Sequence, residues 1–254
     1  MSSKDRSRLA FKMRYAARHP QRIVPHARRL ARDAVLRLKN PDHVSYYRAV
    51  MKSDAARSDE AAVGGRTHEE WLSVGQMQFD YLTEHGLKPG MRMLEIGCGN
   101  LRAGRLFIGY LNAGEYYGVD ISPDILLAAQ RTLASEGLQH KLPYLTLVSD
   151  LELGFLPDGH FDVVHAHSVF SHSPIAVIEQ CLAHIGRVMK PDALFDFTFD
   201  RTDGTEHHVL REDFYYRTET LTALAARHGL AARFMDDWEK LPHQQSKLRL
   251  TRMP

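Results

Sequence analysis

The chain has 254 residues, 44% hydrophobic and 25% charged, with a formal net charge of +2. That length is enough for one α/β domain with a large core plus an appendage, and the balance is ordinary for a globular protein. No apolar run approaches the ~18 residues a membrane span needs, and two cysteines far apart in sequence, Cys98 and Cys181, fit a reducing cytoplasm better than a disulfide framework.

Charge is placed unevenly. Residues 1–40 hold twelve Lys/Arg and two Asp, a formal +10, which leaves −8 for the remainder. Two readings stay open for this basic arm: a solvated helical face, or attraction to phosphates, an acidic polymer or an anionic membrane. An organelle transit peptide is compatible with the same composition, whereas the apolar core of a secretory signal is missing. Two amphipathic helices are expected over 5–39, broken near "HPQRIVP" by Pro20 and Pro25. The second places Leu30, Ala34, Val35 and Leu38 on one face. A further helix is expected at 43–55 and a loop at 58–66. A helix then starts at Thr67, where Thr67 and Glu70 form a capping box, and closes at Gly86.

After residue 90 short apolar strands alternate with amphipathic helices. Strands are expected at 92–96, 116–120, 144–149, 161–167 and 193–199, and helices at 102–111, 123–135, 174–189 and 218–228. This alternation predicts a parallel, doubly wound, Rossmann-like sheet. Two late strands, 230–235 and 246–251, are joined by a gap that suits an antiparallel pair. The expected architecture is therefore a seven-stranded α/β sheet whose last pair is antiparallel. A basic helical arm or cap spans 1–66, and the sheet domain spans 67–254.

The segment "MLEIGCGNLRAG", Met93 to Gly104, ends the first strand in an acid and two glycines. Glycine there permits positive φ and close backbone approach, and the following helix directs free N–H groups at a ligand. A dinucleotide fingerprint would need a small residue where Arg102 stands. Asp120 closes the next strand, where a carboxylate can accept both hydroxyls of a ribose. Asp150 closes the third, where it can accept from an adenine amine.

The segments "LEIGCGN", "YYGVDIS", "LVSDLE" and "FDVVHAHSVFSH", in this order, resemble the class I S-adenosylmethionine-dependent methyltransferases. The resemblance covers about residues 70–254 and departs from the family's frequent third glycine at Leu101. It implies that Glu95, Gly97, Cys98 and Gly99 hold the methionine part of S-adenosylmethionine. Asp120 with Ile121 would hold the ribose, and Asp150 with Leu151 the adenine. Arg66 and Arg102 are candidates to pair with the cofactor carboxylate.

Methyl transfer needs an aligned nucleophile, exclusion of water and, for a hydroxyl acceptor, removal of a proton. The fourth strand and its exit carry His165, His167 and His172, with His165 and His167 on one face. Ser173 and Pro174 read as the start of a helix. Imidazole is a suitable base near neutral pH, so His172 is the candidate base and His167 the alternate. The stretch "SVFSH" resembles the corresponding segment of small-molecule O-methyltransferases. Where some relatives bind a divalent metal with acids, this chain has Ser168 and Ser171. The set Asp196, Asp200, Asp203, His207 and His208 is open to two readings, a Mg²⁺ site or a solvated loop. Trp238 and His243 read either as acceptor contacts or as an ordinary hairpin loop.

The reading is thus a cytoplasmic O-methyltransferase. Its acceptor is expected to be a small molecule, a carbohydrate or glycolipid by resemblance in "AVGGRTHEEW", "QFDYL" and "SVFSH". Peripheral membrane contact is compatible with the basic arm. The alternatives are a phenol or quinone O-methyltransferase and a non-catalytic cofactor-binding protein. Nucleic acid is disfavoured because no "NPPY"-like tetrapeptide follows the fourth strand.

Overall fold

A computed structural model describes residues 23–65 and 67–254. The first expected arm helix, over residues 5–19, and Arg66 lie outside the described residues. Two compact units divide the chain, Met1–Pro41 and Asp42–Pro254. In the first, helix α1 spans Ile23–Lys39. Pro25 does not break it: the proline lies in the first turn, where its missing N–H has no helical partner to lose.

The second unit opens with α2 (His43–Ala55) and the short α3 (Asp59–Ala62). Asp42 caps α2 by accepting from Ser45 N–H at 2.8 Å. Helix α4 (His68–Glu84) starts where the Thr67 hydroxyl accepts from Glu70 N–H at 3.1 Å. It buries Trp71, Gly75, Gln78, Tyr81 and Leu82, a stripe at helical spacing. The chain then alternates through β1 (Met93–Ile96), α5 (Gly104–Tyr110), β2 (Tyr116–Asp120), α6 (Pro123–Ser135), β3 (Tyr144–Leu147), β4 (Phe161–Ala166), α7 (Ile175–Val188) and β5 (Met189–Arg201). It finishes with β6 (His207–Val209), β7 (Asp213–Tyr216), α8 (Thr218–Arg227), β8 (Leu230–Phe234) and β9 (Ser246–Arg252).

The main sheet runs β3-β2-β1-β4-β5-β9-β8. Its first five strands are parallel. Strand β9 lies antiparallel between β5 and β8. This is the expected seven-stranded arrangement. Its order reverses beside β1, so the carboxyl ends of β1, β2 and β4 open onto one crevice. Alternation splits the core between the two faces. Leu94, Ile96, Val164 and Phe195 pack on one, and Met93, Val163, Phe107 and Ala129 on the other.

Two strands are additional. The last two residues of β5, Asp200 and Arg201, pair with Tyr215 and Tyr216 of β7, and β6 pairs antiparallel with β7. They occupy the stretch read from sequence as a solvated loop or a Mg²⁺ site. Helix α7 starts one residue later than expected, with Pro174 as its cap. Ser173 does not cap it; its hydroxyl donates to Val169 O at 2.8 Å.

Candidate active site

The turn after β1 is held by backbone. Gly97 and Cys98 N–H donate to Val119 O at 2.8 and 3.1 Å. Gly97, Gly99 and Leu101 all take positive φ, at 67°, 57° and 66°. A Cβ on Gly97 would stand 2.4 Å from Val169 Cγ2, so glycine is required there for space as well as conformation. Leu101 keeps the left-handed geometry without being glycine, at a cost of about 1–2 kcal/mol. Its complete burial in the β1–α5 cluster offsets that cost.

Asp120 binds this turn to the next helix. Its carboxylate accepts from Gly99 N–H at 3.0 Å and from Ser122 N–H at 2.8 Å. Burial raises its pKa, against those N–H bonds. Each oxygen keeps a further lone pair for hydroxyl donors. Glu95 lies beneath the turn, 4% exposed, and accepts from Tyr116 OH. Burial raises its pKa to about 7, opposed by the Tyr116 bond and the Arg102 charge. Cys98 is buried beside Gly118, and burial pushes its thiol well above the usual range.

The turn is clamped from above. Trp71 Nε1 donates to Asn100 Oδ1, and Asn100 Nδ2 donates to Asp59 O, both at 3.0 Å. Arg102 Nη1 donates to Val63 O at 2.7 Å, while its Nε is buried with no hydrogen bond among the described residues. Burial lowers the Arg102 pKa to about 10.

Beside this turn, Arg48 of α2 reaches over the sheet edge. Its Nε donates to Ile121 O at 2.6 Å and its Nη2 to Val148 O at 2.9 Å. Helix α2 therefore covers the carboxyl ends of β2 and β3. Asp150 is exposed, with its oxygens accepting from Glu152 N–H and Ser149 Oγ. Leu151 is buried, and its N–H donates to Gln180 Oε1 at 3.1 Å.

The three histidines around the end of β4 have different surroundings. His165 is fully buried, with Nε2 on Gln78 Oε1 at 3.2 Å. His167 is 7% exposed and neither ring nitrogen has a partner among the described residues. Its ring stands 4.7 Å from that of His243 and 5.9 Å from Trp238. Burial holds both histidines well below the ordinary pKa, so they are neutral near pH 7.

His172 sits in a 3-10 turn over Phe170–His172. Its Nδ1 lies 2.7 Å from Glu212 O and 3.5 Å from Asp213 Oδ1. Burial lowers its pKa, but Asp213 and the Glu212 carbonyl together outweigh it and the net shift is upward. Tyr47 of α2 stacks on His172 at 5.9 Å, and His43 stacks on Tyr47 at the same distance. Burial brings His43 down to about 4. Asp213, Tyr47 and His43 were not singled out in the sequence. Their signal is tertiary: β7 and α2 are distant in the chain and meet beside His172, where His43 also touches Phe214.

Below these rings, Ser168 N–H and Oγ donate to Thr198 Oγ1 and Gln245 Oε1 at 2.8 and 3.0 Å. Thr198 Oγ1 also donates to Gln245 Oε1 at 2.7 Å. Trp238 is fully buried and donates from Nε1 to Gln245 O, so it is a core residue carrying this loop.

The Mg²⁺ set does not converge. Asp196 is a double acceptor from Arg249 at 2.6 and 2.7 Å, Asp203 pairs with Arg201, and His207 stacks on Tyr215. Strand pairing in β5–β7 spreads these side chains apart. Among the described residues no three His, Cys, Asp or Glu gather as a metal site.

The strand order, the glycine turn after β1 and the acid closing β2 define the fold of the class I S-adenosylmethionine-dependent methyltransferases. The family model described as a methyltransferase domain matches residues 94–195 of the chain. A sterol 24-C-methyltransferase of Gibberella zeae is 28% identical over 166 residues, 63% of this chain and 42% of the relative. One of Aspergillus fumigatus is 32% identical over 133 residues, 50% of this chain and 34% of the relative. The chain thus spans less than half the length of these curated relatives. The crystal structure of magnesium protoporphyrin IX methyltransferase from Synechocystis with bound S-adenosylhomocysteine has a TM-score of 0.61 at 15% identity. That match covers 83% of this chain and all of the other.

Proposed function

We propose that the protein transfers a methyl group from S-adenosylmethionine to a hydroxyl of a small-molecule acceptor, a carbohydrate or glycolipid. The observation that supports the reading is the His172–Asp213 pair, with His172 in the turn after β4, the strand that neighbours β1 and its glycine turn. A hydroxyl acceptor needs a base there, and a half-buried imidazole held by an acid is one.

The donor set fits the cofactor. Asp120 retains acceptor capacity for ribose hydroxyls, and Gly97 and Gly99 leave the backbone bare. The turn from Glu95 to Gly99 and the Arg102 charge would hold the methionine part, Cys98 through its backbone because its thiol is buried beside Gly118, with Arg66 a further candidate. Ile121, Asp150 and Leu151 edge the adenine side. When bound, S-adenosylmethionine supplies an electrophilic methyl on a sulfonium sulfur. Helix α2 shields this crevice from water, Tyr47 and His43 wall the acceptor side, and His172 accepts the hydroxyl proton while Asp213 stabilises the imidazolium. A phenol or quinone acceptor is the second reading, favoured by the His43–Tyr47–His172 stack, which suits a planar ring. The loop Leu241–Gln245, with His243 beside His167, completes the acceptor wall.

The test joins calorimetry to an acceptor screen. S-adenosylmethionine binds, and Asp120→Ala weakens binding by about 1.5–3 kcal/mol, the scale of lost charge-assisted hydrogen bonds. Methyl-labelled cofactor then marks sugars and glycolipids in preference to phenols, quinones and sterols. A sterol labelled on carbon rather than on its hydroxyl would point to carbon as the nucleophile. Binding without any labelled acceptor would support a non-catalytic role.

A further inference from the structure

We propose that helix α1 is a docking element for an anionic lipid surface, lying in the plane of the membrane with its apolar stripe in the headgroup–acyl boundary. Successive residues turn by about 100° along a helix, so Leu30, Ala31, Ala34, Val35 and Leu38 fall on one side. That side faces outward. Leu30 is 45% exposed, Val35 50% and Leu38 88%, and both alanines are exposed. The opposite side holds the helix's one acid: Asp33 is 5% exposed and pairs with Arg37 Nε at 2.8 Å. A helix that serves its own core buries its apolar stripe; α1 exposes the stripe and buries its one acid.

Charge selects the occupant. Within α1, Arg28, Arg29, Arg32, Arg37 and Lys39 stand against Asp33 alone, and residues 1–40 carry +10 in all. On the helical wheel the positions of Arg28, Arg32, Arg37 and Lys39 border the apolar stripe, a pattern that matches a surface negative outside and apolar beneath. A nucleic acid would use the cations and leave the leucines without a role. No helix among the described residues is long and apolar enough to cross a bilayer, so α1 lies on the surface; its 17 residues extend about 25 Å along it. The inference is independent of the methyl-transfer reading.

Flotation of the full chain tests it. The protein floats with vesicles of phosphatidylcholine mixed with phosphatidylglycerol and stays behind with phosphatidylcholine alone. The triple variant Leu30→Ser, Val35→Ser, Leu38→Ser lowers the bound fraction about tenfold or more, because the buried apolar area is lost. Arg28→Gln with Arg29→Gln weakens binding as well, with retained far-UV circular dichroism and cofactor heat as the check on folding. The proposal is overturned if neither vesicle recruits the protein. It is also overturned if the serine variant binds as well as the parent, or if its only effect is to split a dimer in sedimentation. In the last case the stripe belongs to a second copy of the chain. If the serine variant fails to fold, Leu38→Ser alone, at the most exposed position, carries the same expectation.

Discussion

At His172 the ring is held by Nδ1 and has no hydrogen bond at Nε2 among the described residues, the arrangement a general base needs. Its pKa is set by opposing effects: burial pulls it down, while Asp213 and the Glu212 carbonyl push harder the other way. A base acts when unprotonated, so turnover climbs with pH through a midpoint above the ordinary histidine value. Asp213→Asn removes the charge and keeps the shape, and the midpoint moves to lower pH. His172→Ala costs about 10²–10⁴ in kcat, the usual worth of such a base, with little effect on cofactor affinity. A pH–rate profile of the three proteins checks this, and an unmoved midpoint in Asp213→Asn would detach Asp213 from the mechanism. The sequence pointed to His172 because three histidines fall within eight residues around the end of β4. It could not point to Asp213, which reaches the imidazole only because β7 pairs with the end of β5. Leu101 shows the converse. The turn's third positive φ survives the loss of the third glycine, so the geometry outlasts the pattern that announces it.

Among the elements, α2 illustrates how much position matters beyond type. Its helical character is plain from the sequence, with Asp42 as cap and apolar residues at helical spacing. Its place over β2 and β3 is pinned in part by Arg48, whose two bonds end on carbonyls just past the two strands. Arg48→Ala removes both bonds and leaves two half-buried carbonyls to water. A loss of about 1–3 kcal/mol in urea unfolding is expected, with weaker S-adenosylmethionine binding as the cover loosens. Arg48→Lys recovers only part, because an ammonium cannot span both acceptors as the planar guanidinium does. Equal stability and affinity in Arg48→Ala would show that α2 is held by its apolar contacts alone. The strands of the main sheet were legible because each is an apolar run bounded by turn residues. Strands β6 and β7 were not. They are three and four residues long, with only Tyr216 buried among their side chains, and their pairing depends on β5 extending past its apolar core.

On the scale of the whole molecule, the chief departure from an oil-like interior is a charged group within the sheet. Asp196 of β5 is fully buried and faces Arg249 across the antiparallel register with β9. Lys247, two residues earlier on β9, is also fully buried. Its Nζ lies 3.8 Å from Asp196 Oδ2 and from the Trp238 ring centroid, and 4.2 Å from that of Tyr81. One carboxylate thus serves two cations, and two aromatic faces supply the remaining attraction. Asp196→Asn strands both cations and is expected to cost about 3–5 kcal/mol, read from urea unfolding. Lys247 adds a pH signature. Burial outweighs the Asp196 attraction and lowers its pKa from 10.5 to about 8. Between those values the unfolded chain holds a proton that the folded one has released, so this group's contribution to stability grows as pH rises from about 8 toward 10.5. Other groups titrate in the same range, so the quantity to follow is the difference between the parent and Lys247→Met. The parent gains on the variant as pH rises above about 8, because the cost of holding a buried ammonium is relieved. A difference that stays level between pH 7 and 10 would mean that Lys247 keeps its proton, with Asp196 and the two rings sufficient to hold the charge inside the sheet.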